Sequence, residues 1–171
     1  MTLTTRAVLS GVTQTLKALD AILDKTLVQA AERKIDPAVL LSSRLAPDML
    51  PFTRQIQLAC DFAKNLVARV GGGENPKFPD EEKTVEELKA RIAKVLAFVA
   101  AADDAALDAG LAKDVTFPRG PSATVTMKGE AYVTRFALPN FYFHAATAYN
   151  ILRENGFHIG KQDFLLGALD A

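Results

Sequence analysis

Apolar residues recur in steps of three and four through most of this chain, and that spacing leaves room for little except long amphipathic helices. Val8, Val12, Leu16, Leu19, Leu23 and Leu27 fall on one face, which predicts a first helix from about Thr4 to about Arg33. Phe52, Ile56, Ala59, Ala63, Leu66 and Val70 repeat the pattern, closed by glycines 71 to 73. Glycine accepts the left-handed conformation that ends a helix. Val85, Leu88, Ile92, Val95 and Val99 form a third stripe. Just ahead of it, Thr84 and Glu87 have the spacing of a capping box. A fourth helix covers Val133 to about Gly156.

The joints between these helices carry their own signals. Asp36-Pro37 reads as an N-cap and first helical residue opening a short turn through "AVLLSS". Asp48 is placed to cap the second long helix, with Pro51 in its first turn, where a missing N–H costs little. The connection "GGGENPKFPDEEK" exceeds the two to eight residues usual between antiparallel bundle neighbours, so it can cross the bundle. The alanine-rich tail "AAADDAALDAG" continues the third helix, lets a neighbour approach closely and stops at Gly110. In "VTFPRGPSATVTM", Val115/Phe117 and Val125/Met127 alternate with threonines around the turn residues "PRGPS". That is a strand period, and it predicts a two-stranded hairpin resting on the bundle.

Charge and cysteine usage narrow the function classes. Twenty lysines and arginines balance twenty aspartates and glutamates. Phosphate contacts need a cationic excess, so nucleic acid and anionic membrane surfaces are not expected partners. The single cysteine, Cys60, permits no internal disulfide. The longest apolar run, "VLAFVAAA", is far short of the roughly 20 residues that span a bilayer, and the start shows no signal peptide. A cytoplasmic protein with one domain over residues 1–171 is expected.

The candidate site lies in "LPNFYFHAATAYNILRENG", residues 138 to 156. At about 100° per residue, Val133, Thr147 and Ile151 fall within about 20° of Asn140, with Phe136 and His144 within about 40°. Polar residues therefore stand in the middle of an apolar stripe. Pro139 removes one backbone bond and crowds the Arg135 carbonyl, which favours a kink. On the second helix Gln55 flanks the buried stripe, whereas Gln57, Asp61 and Lys64 point to solvent or to another subunit. Gln55, Asn140, His144 and Thr147 are the inward polar candidates. They suit either a hydrogen-bonded core network or a ligand or metal pocket in the bundle interior.

Other chemical groups read as structural. Asp103-Asp104 and "DEEK" at 80 to 83 form a solvated helix face and a helix N-terminus. Cys60 is a buried, inert thiol without a neighbouring basic motif. "RVGGG" follows a helix and lacks the Lys-Ser/Thr of a phosphate loop. Phe157, Phe164 and Leu165 pack as a C-terminal clamp that holds Lys161 and Asp163, and His158 is a surface imidazole. The "FYF" aromatics at 141 to 143 leave helix four covered on most faces.

Three stretches, "RLAPDMLPFTRQIQLACDFAK", "LPNFYFHAATAYNILRENG" and "GKQDFLLG", resemble a bacterial family of domains of unknown function within the DinB/YfiT-like superfamily. The resemblance implies an all-α four-helix bundle of up-down-down-up topology with a small β-hairpin between helices three and four. It also implies a homodimer. In the superfamily an H-x-x-x-H pair on the last helix and a histidine of helix two bind a divalent metal. His144 falls on the second histidine of the pair and Asn140 on the first, and Gln55 is the inward match on helix two. Two neutral amides and one imidazole are a poor set for zinc or nickel, so no cofactor is expected. The resulting expectation is a DinB-like protein with a degenerate metal site that binds a small molecule or serves a structural role. The alternative is a metal-dependent transferase or hydrolase acting on small thiols, with His144, Asn140 and Gln55 as ligands of zinc or nickel.

Overall fold

Thr4 opens the chain's first helix, α1 (Thr5–Glu32), by accepting the Ala7 N–H. The computed structural model describes residues 4–166. A short α2 (Ala38–Leu41) follows, with Asp36 accepting from the Ala38 N–H. Next come α3 (Phe52–Gly71), α4 (Val85–Ala100) and α5 (Asp104–Gly110). Strands β1 (Asp114–Arg119) and β2 (Ala123–Lys128) pair antiparallel. The last long helical run is α6 (Gly129–Tyr132), a π-helical turn (Val133–Ala137) and α7 (Leu138–Glu154), before a closing α8 (Lys161–Leu165). No helix of the described residues is long and apolar enough to cross a membrane.

The four long helices form a ring in which α4 and α7 each pack against both α1 and α3. Their directions follow from who meets whom. Arg6, near the start of α1, donates to the Val99 and Ala102 carbonyls at the end of α4, while Lys89 near the start of α4 pairs with Asp20 and Asp24. Hence α1 and α4 are antiparallel. The connection 72–84 retraces α3, since Lys64 holds the Pro76 carbonyl, Gln57 holds Glu82 and Arg54 holds Asp80. It returns the chain to the starting end of α3, so α4 runs parallel to α3. Later, α7 runs back along α3 and brings His144 to Gln55. The topology is up-down-down-up, with one apolar core fed by all four helices.

Several local expectations are corrected. Asp48 does not cap α3; Pro51 occupies that position, and the first N–H, that of Phe52, is accepted by the Ser43 carbonyl at 2.8 Å. The third helix does not run on to Gly110. It ends at Ala100, and Asp103 starts α5 by accepting the Ala105 and Ala106 N–H groups. The acidic pair is solvent-exposed as expected, and it also serves as a cap and an ion-pair partner, Asp104 binding Arg6. Gly110 does allow a close approach: a Cβ there would lie 1.8 Å from the Val70 carbonyl oxygen. The hairpin keeps the expected register, Val115 opposite Met127 and Phe117 opposite Val125. It rests on the bundle through buried Val115 and Phe117. The C-terminal clamp is present, with Asp163 paired to Lys25 and the Leu165 carbonyl held by Gln14.

Gln57, Asp61 and Lys64 do not face solvent. Gln57 and Lys64 are buried beneath the returning strap, because Arg91 of α4 supplies a cation there. Arg91 is 2% exposed. Its guanidinium reaches Asp61 at 2.9 Å, Asp80 at 3.0 Å, Glu82 at 2.9 Å and the Pro79 carbonyl at 3.0 Å. Asp80 and Glu82, expected at a solvated helix start, are therefore the strap's anchors. Burial alone would raise the Glu82 carboxyl, but hydrogen bonds from Arg91 and Gln57 outweigh it and hold the group below the usual carboxylate range. Removing one partner of a buried ionic cluster leaves the others uncompensated. Arg91→Ala is expected to cost about 3 kcal/mol in urea denaturation, and to speed labelling of buried Cys60 by a thiol reagent under native conditions. Lost stability with unchanged labelling would mean that something else holds the strap.

Candidate functional site

The π-helical turn sets the geometry of the candidate site. The Leu138 N–H reaches back five residues to the Val133 carbonyl, inserting one residue into the winding just before Pro139. Proline has no N–H to return to Arg135, and the helix answers with a wider turn rather than a simple kink. This insertion also shifts the wheel. Asn140 is only half-buried, and its amide donates to the Phe136 carbonyl of its own helix at 2.7 Å. The expected position of Asn140 at the centre of the inward stripe is thus corrected. Thr147 is buried but likewise turned to its own helix, donating to the Phe143 carbonyl.

His144 and Gln55 do meet. The imidazole Nδ1 lies 2.7 Å from Gln55 Oε1, in a buried contact between α7 and α3. Gln55 Nε2 donates to the Leu50 carbonyl at 2.9 Å. A carbonyl only accepts, so the amide nitrogen must face Leu50 and the amide oxygen must face the ring. That fixes the tautomer: Nδ1 carries the proton and Nε2 keeps its lone pair. The imidazole stacks on Phe62 with centroids 5.7 Å apart, and Phe143 meets it edge-on at 5.2 Å. Burial first, and the nearby Arg54 cation second, push the imidazole below its ordinary value of 6.5. The site therefore presents a neutral ring with one basic nitrogen.

Around it runs an aromatic chain that the sequence pattern did not reveal. Phe62 packs on Phe136, Phe136 on Phe117, and Phe117 on Tyr132, linking the imidazole to the hairpin. Arg69 covers the far end, over Phe117 and Tyr132. Arg91 was also missed, although Leu88, Arg91 and Val95 have the very spacing that marked the buried face. Cys60 is fully buried, and burial pushes its thiol up to about 12 despite the Arg91 cation beside it. The cation that acts on it, Arg91, comes from α4 rather than from its own helix. Among the described residues, no three His, Cys, Asp or Glu side chains converge as a metal-binding group.

Comparison with known proteins places this geometry. The family described as a domain of unknown function, DUF1993, matches residues 5–165. No curated protein matches. The crystal structure of a DinB family member protein from Shewanella denitrificans is 41% identical, with a TM-score of 0.84, over 90% of this chain and 86% of that one.

The lowered imidazole has a consequence for stability. Between its folded value and 6.5, the unfolded chain binds more protons than the folded one, so stability rises with pH through that window and falls as the medium is acidified. Chemical denaturation from pH 7 down to pH 5, above the carboxylate range, is expected to show this decline. His144→Gln should flatten it. An identical slope in the variant would assign the effect to other groups.

Proposed function

The chain belongs to the DUF1993 family and is DinB-like, and from that premise we propose that it is a metal-free member of its superfamily, one that binds a small molecule at His144. One observation carries this reading. The three positions that match the superfamily's metal ligands spend their polar groups on the protein itself. Gln55 bridges Leu50 and His144, and Asn140 bonds back into α7. His144 Nε2 is the one strong donor atom left, which does not fit a zinc or nickel centre built from several imidazoles, thiolates or carboxylates. A neutral nitrogen flanked by Phe62 and Phe143 instead suits a small ligand that offers an N–H or O–H. On this reading no catalytic step follows from the site.

The same reading makes the protein a cytoplasmic homodimer joined through helices. Phe143 and Tyr142 of α7 are 57% and 39% exposed, and Leu50 ahead of α3 is 45% exposed. Side chains of that size left in water support an apolar contact between copies. Light scattering at micromolar concentration is expected to give twice the 18.4 kDa chain mass. The monomer mass would remove this part of the reading.

The metal-free reading is tested by thermal melting of untagged protein with and without zinc or nickel, beside elemental analysis. A ligand stabilises the fold only in proportion to its occupancy of the native state, so added metal should leave the melting temperature unchanged. His144→Ala should cost about 1–3 kcal/mol by leaving a cavity and an unpaired Gln55 amide. A large metal-dependent rise in the wild type, lost in His144→Ala, would overturn the proposal in favour of a metal-dependent transferase or hydrolase.

A further inference from the structure

A cavity lies at the opposite end of the bundle from His144, where α3 and α4 both terminate and α5 begins. It measures about 270 Å³. Val67, Ala68, Phe98 and Leu107 form its apolar floor. It exists because the neighbouring positions are small: Ala102, Ala106 and Gly71 line it without filling it. The break between α4 and α5 at Asp103 holds the two alanine-rich segments apart.

The charged side chains at the mouth of this cavity are both acidic. Glu74 and Asp103 are the charged residues that line it, and no lysine or arginine does. Asp103 Oδ1 is occupied by the Ala105 and Ala106 N–H groups, which leaves Oδ2 without a hydrogen bond among the described residues. The C-terminal ends of the long α3 and α4 point here with partial negative charge, opposed only by the N-terminus of the short α5, which the Asp103 carboxylate caps. The fold already places a cation on this end from the other side, where the Arg6 guanidinium takes the Val99 and Ala102 carbonyls. An apolar chamber with a negative rim is complementary to a molecule that has an apolar body and a cationic head.

We infer that this cavity binds a small amphipathic cation, an alkyl- or arylammonium whose apolar body enters between α3 and α5 and whose ammonium sits at the Glu74–Asp103 rim. The volume selects small ligands, since it falls below the roughly 300 Å³ at which pockets for drug-sized molecules begin. The occupant is a free amine rather than a protein segment, because the chamber is closed beneath by the buried Val67 and Leu107.

The test is titration of ¹⁵N-labelled full-length protein with phenethylamine, 2-phenylethanol and 3-phenylpropionate, followed by amide shifts. The amine should bind at least tenfold more tightly than the alcohol and move the amides of Ala68, Gly73 and Ala106. The carboxylate should not bind. In Glu74→Gln/Asp103→Asn, where asparagine keeps the cap, the amine's advantage over the alcohol should vanish. Ala106→Leu should abolish binding of both, with thermal melting as the check on folding. Equal affinity for amine and alcohol, shifts centred elsewhere, or no binding by the wild type would each overturn the inference. Because His144 takes no part, these results stand apart from those of the metal test.

Discussion

Placing two consecutive long helices side by side and parallel forces the chain to travel the length of the bundle between them. In this fold the helices are α3 and α4, and the returning strap is polar and rich in proline and glycine. Phe78 is its one large apolar side chain against the core, and the rest of it needs polar anchors. A buried guanidinium resolves the difficulty. Arg91 gathers Asp61 from α3 and Asp80 and Glu82 from the strap around a single planar cation, a geometry that arginine's fixed fork of donors suits and lysine's point charge does not. With the strap fixed, α4 begins level with α3, α1 has an antiparallel neighbour, and α7 returns along α3 so that His144 meets Gln55.

That meeting shows how a bundle interior accommodates polar groups that satisfy one another. An imidazole and a primary amide satisfy one another, and the amide's second end is tied to the Leu50 carbonyl just ahead of α3. Three segments are thereby stitched by two hydrogen bonds of ordinary length. Each bond contributes about 0.5–1.5 kcal/mol net, while leaving any partner bare would cost more. The arrangement is self-consistent as a structural tie. It also leaves one ring nitrogen uncommitted.

Much of this was legible in the sequence. The stripes of α1, α3 and α4, the Thr84–Glu87 box and the hairpin register all arise from local periodicity and turn chemistry, which need no tertiary information. Gln55 and His144 were legible as inward polar residues because their helices are regular around them. Asn140 was not, since a wheel drawn at constant pitch cannot register a residue inserted at 133–137. The strap residues Asp80 and Glu82 looked like solvated acids because their partner, Arg91, is distant in sequence and charged. A lone arginine on an apolar stripe is easily read as a flank. Asp103 reads as part of a continuous helix because alanines on both sides mask the cap between them.

The π-helical turn carries a consequence for how the last helix is phased. Upstream of it, Tyr132 and Phe136 belong to the aromatic chain under the hairpin. Downstream, His144 and Ile151 belong to the interface with α3 and the core. The extra residue acts as a vernier between these halves. At 3.6 residues per turn, one residue is worth about 100° of rotation. The hairpin and the imidazole are thus set by one helix yet aimed separately, and a lineage that deleted a single residue between Val133 and Ala137 would have to choose which of the two to keep in register.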